Sequence, residues 1–167
     1  MIKTRTRYSD EVRQARLDDA INHLSWLLGN EMDGRTWKTL GPVSAHYRLH
    51  SAYDYLVQAL FAYNRHWRTL KSREVTDLLN LAWLPNQFEE LNFSAMNALS
   101  DDLVGYQQRL TVLNRFFKEI VAQCQFDGLY GDRVGDEAFI RQHDEPGRDW
   151  NMAEWVEQHH ASRLSLD

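Results

Sequence analysis

The sequence is poor in cysteine and has no long hydrophobic run. Cys124 has no second cysteine with which to form a disulfide within the chain, and this fits a reducing compartment. No apolar stretch approaches the roughly 20 residues that a transmembrane helix needs. The basic residues that follow Met1 are not succeeded by the apolar segment of a signal peptide. We therefore expect a cytoplasmic protein that is not inserted in a membrane.

Positive charge is also in the minority. The chain has 19 Lys and Arg residues against 24 Asp and Glu residues, which gives a formal net charge of -5. Such a balance provides no overall attraction for nucleic-acid phosphates, so nucleic-acid binding is not expected. The glycines of residues 128–135 are not followed by the Gly-Lys-Ser/Thr of a P-loop. The common phosphate-binding loop is therefore missing.

What the chain does have is apolar and aromatic content. Apolar residues make up 43% of its 167 residues and aromatic residues 12%, a composition that argues against disorder. A chain of this length is most simply one domain, residues 1–167, and is large enough to bury roughly 70% of its unfolded surface.

Apolar residues recur three and four positions apart in three long stretches, which predicts an all-α helical bundle. The three long helices are predicted at about residues 9–30, 44–69 and 100–125. Shorter helices are predicted at about residues 72–82, 85–91 and 150–160. Glycine and proline interrupt the last part of the chain, so residues 128–167 are expected to be looser, with short helices.

The second predicted helix carries a mixed stripe beside its apolar one, and this stripe holds the candidate binding residues. Arg65 and Arg68 have the planar fork that grips phosphate or carboxylate, and Asn64 has the amide that reads a base or sugar edge. The predicted substrate contacts are His46, His50, Asn64, Arg65 and Arg68. The same stripe is also typical of a solvated helix face, and both interpretations remain open. No catalytic residue is predicted.

Two further spacings suggest other chemistry. His46 and His50 are four residues apart, so both imidazoles can face one metal ion, but no second pair of ligands occurs at a comparable spacing. A metal site is therefore not predicted, and a metal-dependent bundle is kept as an alternative. Arg16 and His23 are similar in spacing to the Arg and His of an endoribonuclease motif in some helical toxins, but a seven-residue spacing is common on any helix.

Residues 59–68 and 78–85 resemble part of a known family. The first segment ends in Asn64-Arg65-His66-Trp67, and the second ends in Trp-Leu-Pro at residues 83–85. These elements resemble the helical C-terminal domain of a group of bacterial nucleotidyltransferase-fold proteins, in which a helix ends in an Asn-Arg-x-Trp-like element. The resemblance is clearest over residues 47–90.

This resemblance implies one half of a two-part enzyme. In the family, an α/β domain with a Gly-Ser turn and an Asp-x-Asp or Asp-x-Glu pair holds the metal and the nucleoside triphosphate. This chain has no glycine followed by serine and no such acidic pair, although two-metal phosphoryl transfer needs carboxylates that hold the ions. We therefore expect a substrate-binding helical domain that is not catalytic alone and has no cofactor of its own. Mg²⁺ and a nucleoside triphosphate are expected only with a catalytic domain, in cis or in trans.

A different class of function is also compatible with the sequence. The chain would then be a protein–protein interaction module, similar to helical antitoxin or adaptor domains. The feature that favours it is the aromatic segment 139–155, with Trp150 and Trp155. Under this interpretation a partner protein or a homodimer replaces the nucleotide or small-molecule substrate.

Overall fold

The structure is a computed structural model that describes residues 8–29, 31 and 34–143. Within these residues it is all helical, which confirms the predicted helical bundle, and none of them forms a strand. The helices are α1 (Asp10–Gly29), α2 (Arg35–Tyr63), α3 (Lys71–Leu79), α4 (Phe88–Met96), α5 (Leu103–Phe126) and α6 (Val134–Gln142). The predicted helix at 150–160, with Trp150 and Trp155, lies outside the described residues.

The core lies where α1, α2 and α5 meet. α1 packs along α2 and α6, while α5 packs against α2 and α4. The predicted apolar stripe of α1 is buried throughout, at Leu17, Ile21, Leu24 and Leu28. Its first turn is closed by Ser9, whose Oγ accepts a hydrogen bond from the Val12 amide at 3.2 Å. No described helix is long and apolar enough to span a membrane.

The bounds of α2 differ from the predicted 44–69 at both ends. It begins nine residues earlier, at Arg35, because residues 35–40 form a helical segment of their own before a break at Gly41 (φ 82°, ψ 173°). It ends at Tyr63 because Arg65 adopts a left-handed conformation with φ 57°. The amides of Arg65 and His66 bond back to Ala62 and Phe61, in the pattern of a Schellman motif. Residues 64–68 are therefore not helical, and the predicted extension of this helix to about residue 69 is wrong.

The end of α5 follows the prediction closely. Gly128 (φ 70°) takes the left-handed position, and the amide of Leu129 bonds to the Cys124 carbonyl at 2.9 Å. The start of α5 lies at Leu103 instead of 100, because Asp102 is the capping residue: its carboxylate accepts a hydrogen bond from the Gly105 amide at 2.9 Å.

The last described helix is anchored to α1 by a buried carboxylate. Asp18 accepts hydrogen bonds from Tyr130 Oη at 2.7 Å and from Arg141 Nε at 2.9 Å. Because Asp18 is buried, leaving its charge unpaired would be costly. This network fixes α6, and the chain that precedes it, along the bundle.

Candidate functional site

Asn64, the first predicted contact beyond α2, has a structural partner for both ends of its amide. Its Nδ2 donates to the carbonyls of Leu60 (2.8 Å) and Trp83 (2.9 Å), and its Oδ1 accepts from the Trp83 amide at 2.8 Å. The Trp83 ring packs edge-on against Tyr63, with 4.8 Å between centroids. Asn64 therefore joins the end of α2 to the Trp-Leu-Pro turn. The two segments that carry the family resemblance, residues 59–68 and 78–85, are connected to each other through these hydrogen bonds.

Arg68 lies in a charged network between α2 and α3. It contacts Asp54 (Nη2 to Oδ1, 2.8 Å) and Glu74 (Nε to Oε2, 2.9 Å), and Lys71 contacts both carboxylates. Hydrogen bonds from Arg68, with Lys71 beside it, lower the pKa of Asp54 to about 2. Burial raises the pKa of Glu74, but the two cations outweigh it and lower that pKa overall. A phosphate would have to compete with both carboxylates for Arg68.

Arg65 points toward the start of α1. Its guanidinium is paired with the carboxylate of Asp10, and its side chain remains 44% exposed. Nearby, the Arg16 guanidinium lies over the Trp67 ring at 5.3 Å, and Tyr8 packs on the same indole at 4.7 Å. This end of the bundle therefore combines two accessible arginines with an indole that is itself partly exposed.

The two histidines lie elsewhere on α2. The His46 ring has its edge contacts with Trp37 (5.8 Å) and Tyr106 (5.9 Å), and its Nε2 is buried without a hydrogen-bond partner among the described residues. His50 is exposed. In the part of the chain that the structure describes, no three His, Cys, Asp or Glu side chains gather as metal ligands. His23, the other histidine of interest, stacks on Tyr55 at 4.2 Å, whereas Arg16 contacts Trp67.

The predicted contacts thus have separate partners: aromatic rings for His46, the Trp83 turn for Asn64, α1 for Arg65 and α3 for Arg68. The structure brings another set of residues together. Trp26 at the end of α1 and Leu40, Val43 and Tyr47 near the start of α2 are 64%, 69%, 83% and 72% exposed. We call the depression beside them the Trp26 groove.

The Trp26 groove has a volume of about 440 Å³. Its lining residues are Trp26, Leu27, Thr36, Leu40, Val43, Ser44, Tyr47, Arg48 and Ser51. The break at Gly41 separates Leu40 from Val43, so the groove is shaped by two helical segments of α2 together with the end of α1. Large apolar side chains gathered on a surface in this way mark interaction sites.

Arg48 fixes the floor of the groove. Its guanidinium lies 4.5 Å from the centre of the Trp26 ring and donates to the carbonyls of Trp26 (2.6 Å) and Leu27 (2.8 Å). These carbonyls belong to the last turn of α1, and Arg48 donates a hydrogen bond to each of them. Arg48 also pairs with the buried carboxylate of Glu31 at 3.1 Å, which in turn accepts a hydrogen bond from Tyr106 Oη at 2.6 Å.

The network of Arg48, Glu31 and Tyr106 also changes the pKa of the Tyr106 hydroxyl. Burial, together with the hydrogen bond to Glu31, raises the pKa of the Tyr106 hydroxyl above its usual range. Tyr106 therefore stays protonated and keeps donating to the carboxylate at ordinary pH.

Sequence reasoning missed this groove because residues 35–43 lie between the predicted helices at 9–30 and 44–69. The sequence does contain a helical pattern here, because Leu40, Val43 and Tyr47 are spaced three and four residues apart. These residues do not belong to the buried stripe of α2 that includes Leu49, Leu56 and Leu60. Gly41 and Pro42 obscured the helical pattern, since this pair is more typical of a loop.

Comparison with known proteins adds no assignment. No protein-family model matches the chain, and no match is found among curated proteins or solved structures.

Proposed function

We propose that this chain is a non-catalytic helical module that docks on a partner protein through the Trp26 groove. The observation that carries the proposal is the exposure of Trp26, Leu40, Val43 and Tyr47 around one depression. Tryptophan and tyrosine are enriched among the residues that contribute most to protein–protein affinity. Burying these four side chains against a partner would remove a large apolar area from water, at about 25 cal/mol per Å².

The partner that the resemblance implies is the catalytic domain of a nucleotidyltransferase, in cis or in trans. Such a domain would supply the paired carboxylates that this sequence lacks, together with Mg²⁺ and the nucleoside triphosphate. The helical module then orients that domain or closes over its cleft. The hydrogen bonds between Asn64 and Trp83 support this proposal, because they join the two segments that carry the family resemblance, residues 59–68 and 78–85.

The docking proposal is tested by measuring complex formation with a nucleotidyltransferase-like domain encoded in the same reading frame or beside it. Titration calorimetry with Val43→Asp or Tyr47→Asp should show affinity weakened by tenfold or more, about 1.4 kcal/mol each. Phe126→Asp is the matched control, since Phe126 is just as exposed but lies at the end of α5. Equal loss in all three variants, or none in the groove variants, would contradict the proposal.

A second candidate function, substrate binding at the start of α1, is favoured by one observation. Arg16 and Arg65 are accessible there beside the Trp67 indole, and arginine with an aromatic ring suits a ligand that carries both phosphate and base. Nucleoside triphosphates should then bind the wild-type chain and bind Arg65→Ala more weakly. Arg68→Ala separates two roles of this arginine. If Arg68 contacts the substrate, the variant should bind nucleoside triphosphate more weakly while its free energy of unfolding stays unchanged. If Arg68 acts through its ion pairs with Asp54 and Glu74, the variant should have a lower free energy of unfolding.

A further inference from the structure

We infer that the junction between the start of α1 and the end of α2 binds a phosphate group through Tyr8, Arg13 and Arg16. This inference is independent of docking at the Trp26 groove. It rests on the second candidate function, substrate binding at the start of α1, and names the group of the ligand that is held there and the residues that hold it.

Two buried polar atoms at this junction have no hydrogen-bond partner. They are Tyr8 Oη and Arg13 Nε, and among the described residues only one other buried side-chain atom, His46 Nε2, is left unpaired. Tyr8 is only 9% exposed. A buried polar group without a partner is costly, and in native proteins a bound water or ion often completes it. The Arg13 Nε–H can only donate and the Tyr8 hydroxyl can donate, so an acceptor would satisfy both.

The positive charge beside these two atoms favours an anion as that acceptor. Arg13 and Arg16 are three residues apart on α1, so they lie on the same side of the helix. Neither guanidinium forms an ion pair with a carboxylate in the part of the chain that the structure describes, and the carboxylate of Asp10 is used by Arg65. An oxyanion would therefore receive charge-assisted hydrogen bonds that a neutral water cannot match.

Contacts with aromatic rings bring the three donors to one place. The Arg13 guanidinium lies 5.1 Å from the centre of the Tyr63 ring and donates to the Tyr63 carbonyl at 2.9 Å. The Arg16 guanidinium lies 5.3 Å from the centre of the Trp67 ring, and the Tyr8 ring packs against the same indole at 4.7 Å. Trp67 thus brings Tyr8 close to Arg16, and Arg13 lies about one turn earlier on α1.

The ionisation of Tyr8 agrees with this placement. Burial raises the pKa of the Tyr8 hydroxyl above its usual value, and the charges of Arg16 and Arg13 offset part of that rise. The hydroxyl therefore keeps its proton at neutral pH and can donate it to an oxyanion. The two guanidinium groups are near enough to act on this hydroxyl, so one ligand can use all three groups.

A phosphate group suits these donors better than a carboxylate does. Its three terminal oxygens point in different directions, so it can accept from a hydroxyl and two guanidinium groups at once. The planar fork of arginine matches phosphate oxygens in pairs. Arg16 is exposed and Trp67 is 44% exposed, so a ligand can approach from this side. Free phosphate and the phosphate of a nucleotide share this chemistry.

The test measures the binding of pyrophosphate, ATP, adenosine and citrate to the full chain by isothermal titration calorimetry. Pyrophosphate and ATP should bind, with affinities that fall as ionic strength rises, and adenosine should not bind. Citrate should bind about tenfold more weakly than pyrophosphate. Similar affinities for pyrophosphate and ATP would identify free phosphate as the source, whereas tighter binding of ATP would identify a nucleotide. Adenosine as tight as ATP, or citrate as tight as pyrophosphate, would overturn the inference.

Two variants locate the phosphate. Tyr8→Phe removes only the hydroxyl and should weaken pyrophosphate binding about tenfold. Its free energy of unfolding without ligand should not fall, because that hydroxyl has no partner among the described residues. Arg16→Gln should weaken binding by a similar factor. Arg73→Gln is the control and should bind like the parent, since Arg73 is also exposed but lies on α3.

The outcomes separate this inference from the functions proposed above. ATP binding that is weakened by Arg65→Ala but unchanged by Tyr8→Phe and Arg16→Gln would overturn the inference and retain the second candidate function. If neither pyrophosphate nor ATP binds, both are overturned. A Tyr8→Phe protein that binds like the parent and unfolds more easily would assign the hydroxyl a structural role and also overturn the inference. Docking at the Trp26 groove is decided separately by Val43→Asp and Tyr47→Asp.

Discussion

At the scale of single residues, Asn64 and Arg65 were predicted as binding residues, but in the structure both help to end α2. Asn64 uses both ends of its amide to bond main-chain groups of Leu60 and Trp83. Arg65 takes the left-handed position that ends α2, a position usually occupied by glycine. The cluster of polar residues at this point of the sequence therefore has a stabilising role, whatever it binds.

We predict that Asn64→Ala lowers the free energy of unfolding by about 1–3 kcal/mol, because it leaves the amide and carbonyl of Trp83 without their partner. Urea denaturation followed by tryptophan fluorescence measures this change. Asn80→Ala is the control: Asn80 is exposed, and among the described residues its side-chain amide bonds only to the Thr76 carbonyl, one turn back in α3. Its effect should stay within about 0.5 kcal/mol. Similar losses in the two variants would argue against a bridging role for Asn64.

At the scale of the helices, the break in α2 decides where the Trp26 groove forms. Gly41 has φ 82° and ψ 173°, a combination that is essentially restricted to glycine. Pro42 follows, and its fixed φ suits the first position of the continuing helix. The break redirects residues 35–40, so Leu40 and Thr36 face Trp26 instead of continuing the line of the main helix.

We expect Gly41→Ala to lower the free energy of unfolding by about 1–3 kcal/mol, through backbone strain alone, since a Cβ at this position meets no atom within 4 Å. Gly29→Ala provides a comparison with the opposite sign. Gly29 ends α1 without a positive φ and its Cβ would also meet nothing, so alanine should stabilise the chain by about 0.5–1 kcal/mol. Chemical denaturation of both variants gives the answer; a Gly41→Ala protein as stable as the parent would contradict this account of the break.

At the scale of the whole molecule, charged networks hold the outer helices to the bundle. Asp18 anchors α6 through Arg141, and Arg68 connects α2 to α3 through Asp54 and Glu74. The Asp18–Arg141 contact joins residues 123 positions apart, whereas Arg68 connects the consecutive helices α2 and α3. Both contacts depend on charge, so the ionisation of their carboxylates affects stability.

Acid should therefore weaken the folded state in a defined pH range. The pKa of Asp54 is about 2 in the folded state against an ordinary value of 3.8. The unfolded chain consequently takes up this proton first, so the stabilisation is present above about pH 4 and is lost as the pH falls toward 2. Because Asp54 is half exposed, the contribution is about 1 kcal/mol after screening by water.

Urea unfolding between pH 7 and pH 2 measures this contribution. Asp54→Asn should be less stable than the parent at pH 7, and the gap should narrow below pH 4. Asp101→Asn is the control, since Asp101 is exposed and has no ion pair within the described residues. A gap that persists to pH 2 would show that the network is not stabilised by the charge of Asp54.

The sequence by itself determined the helical class and the two regular helices, α1 and α5. Their apolar residues recur with the period of a helix, and the predicted capping signals Ser9 and Gly128 stand at the start of α1 and the end of α5. The start of α5 was predicted at residue 100, two positions before its capping residue Asp102. Such signals act over a few residues, so they can be read without knowing what the helix packs against. The sequence also placed the candidate binding residues on one stripe of the predicted second helix, but the structure gives them separate partners.

Only the tertiary structure decided where α2 ends and which apolar surface stays exposed. Arg65 has no intrinsic preference for the left-handed position; it adopts it where Asn64 binds the distant Trp83 and the helix must stop. The Trp26 groove likewise depends on packing between the end of α1 and the start of α2, with Glu31 and Arg48 beneath it. Exposure depends on which neighbours surround a side chain in space, and the spacing of apolar residues along the chain does not give those neighbours.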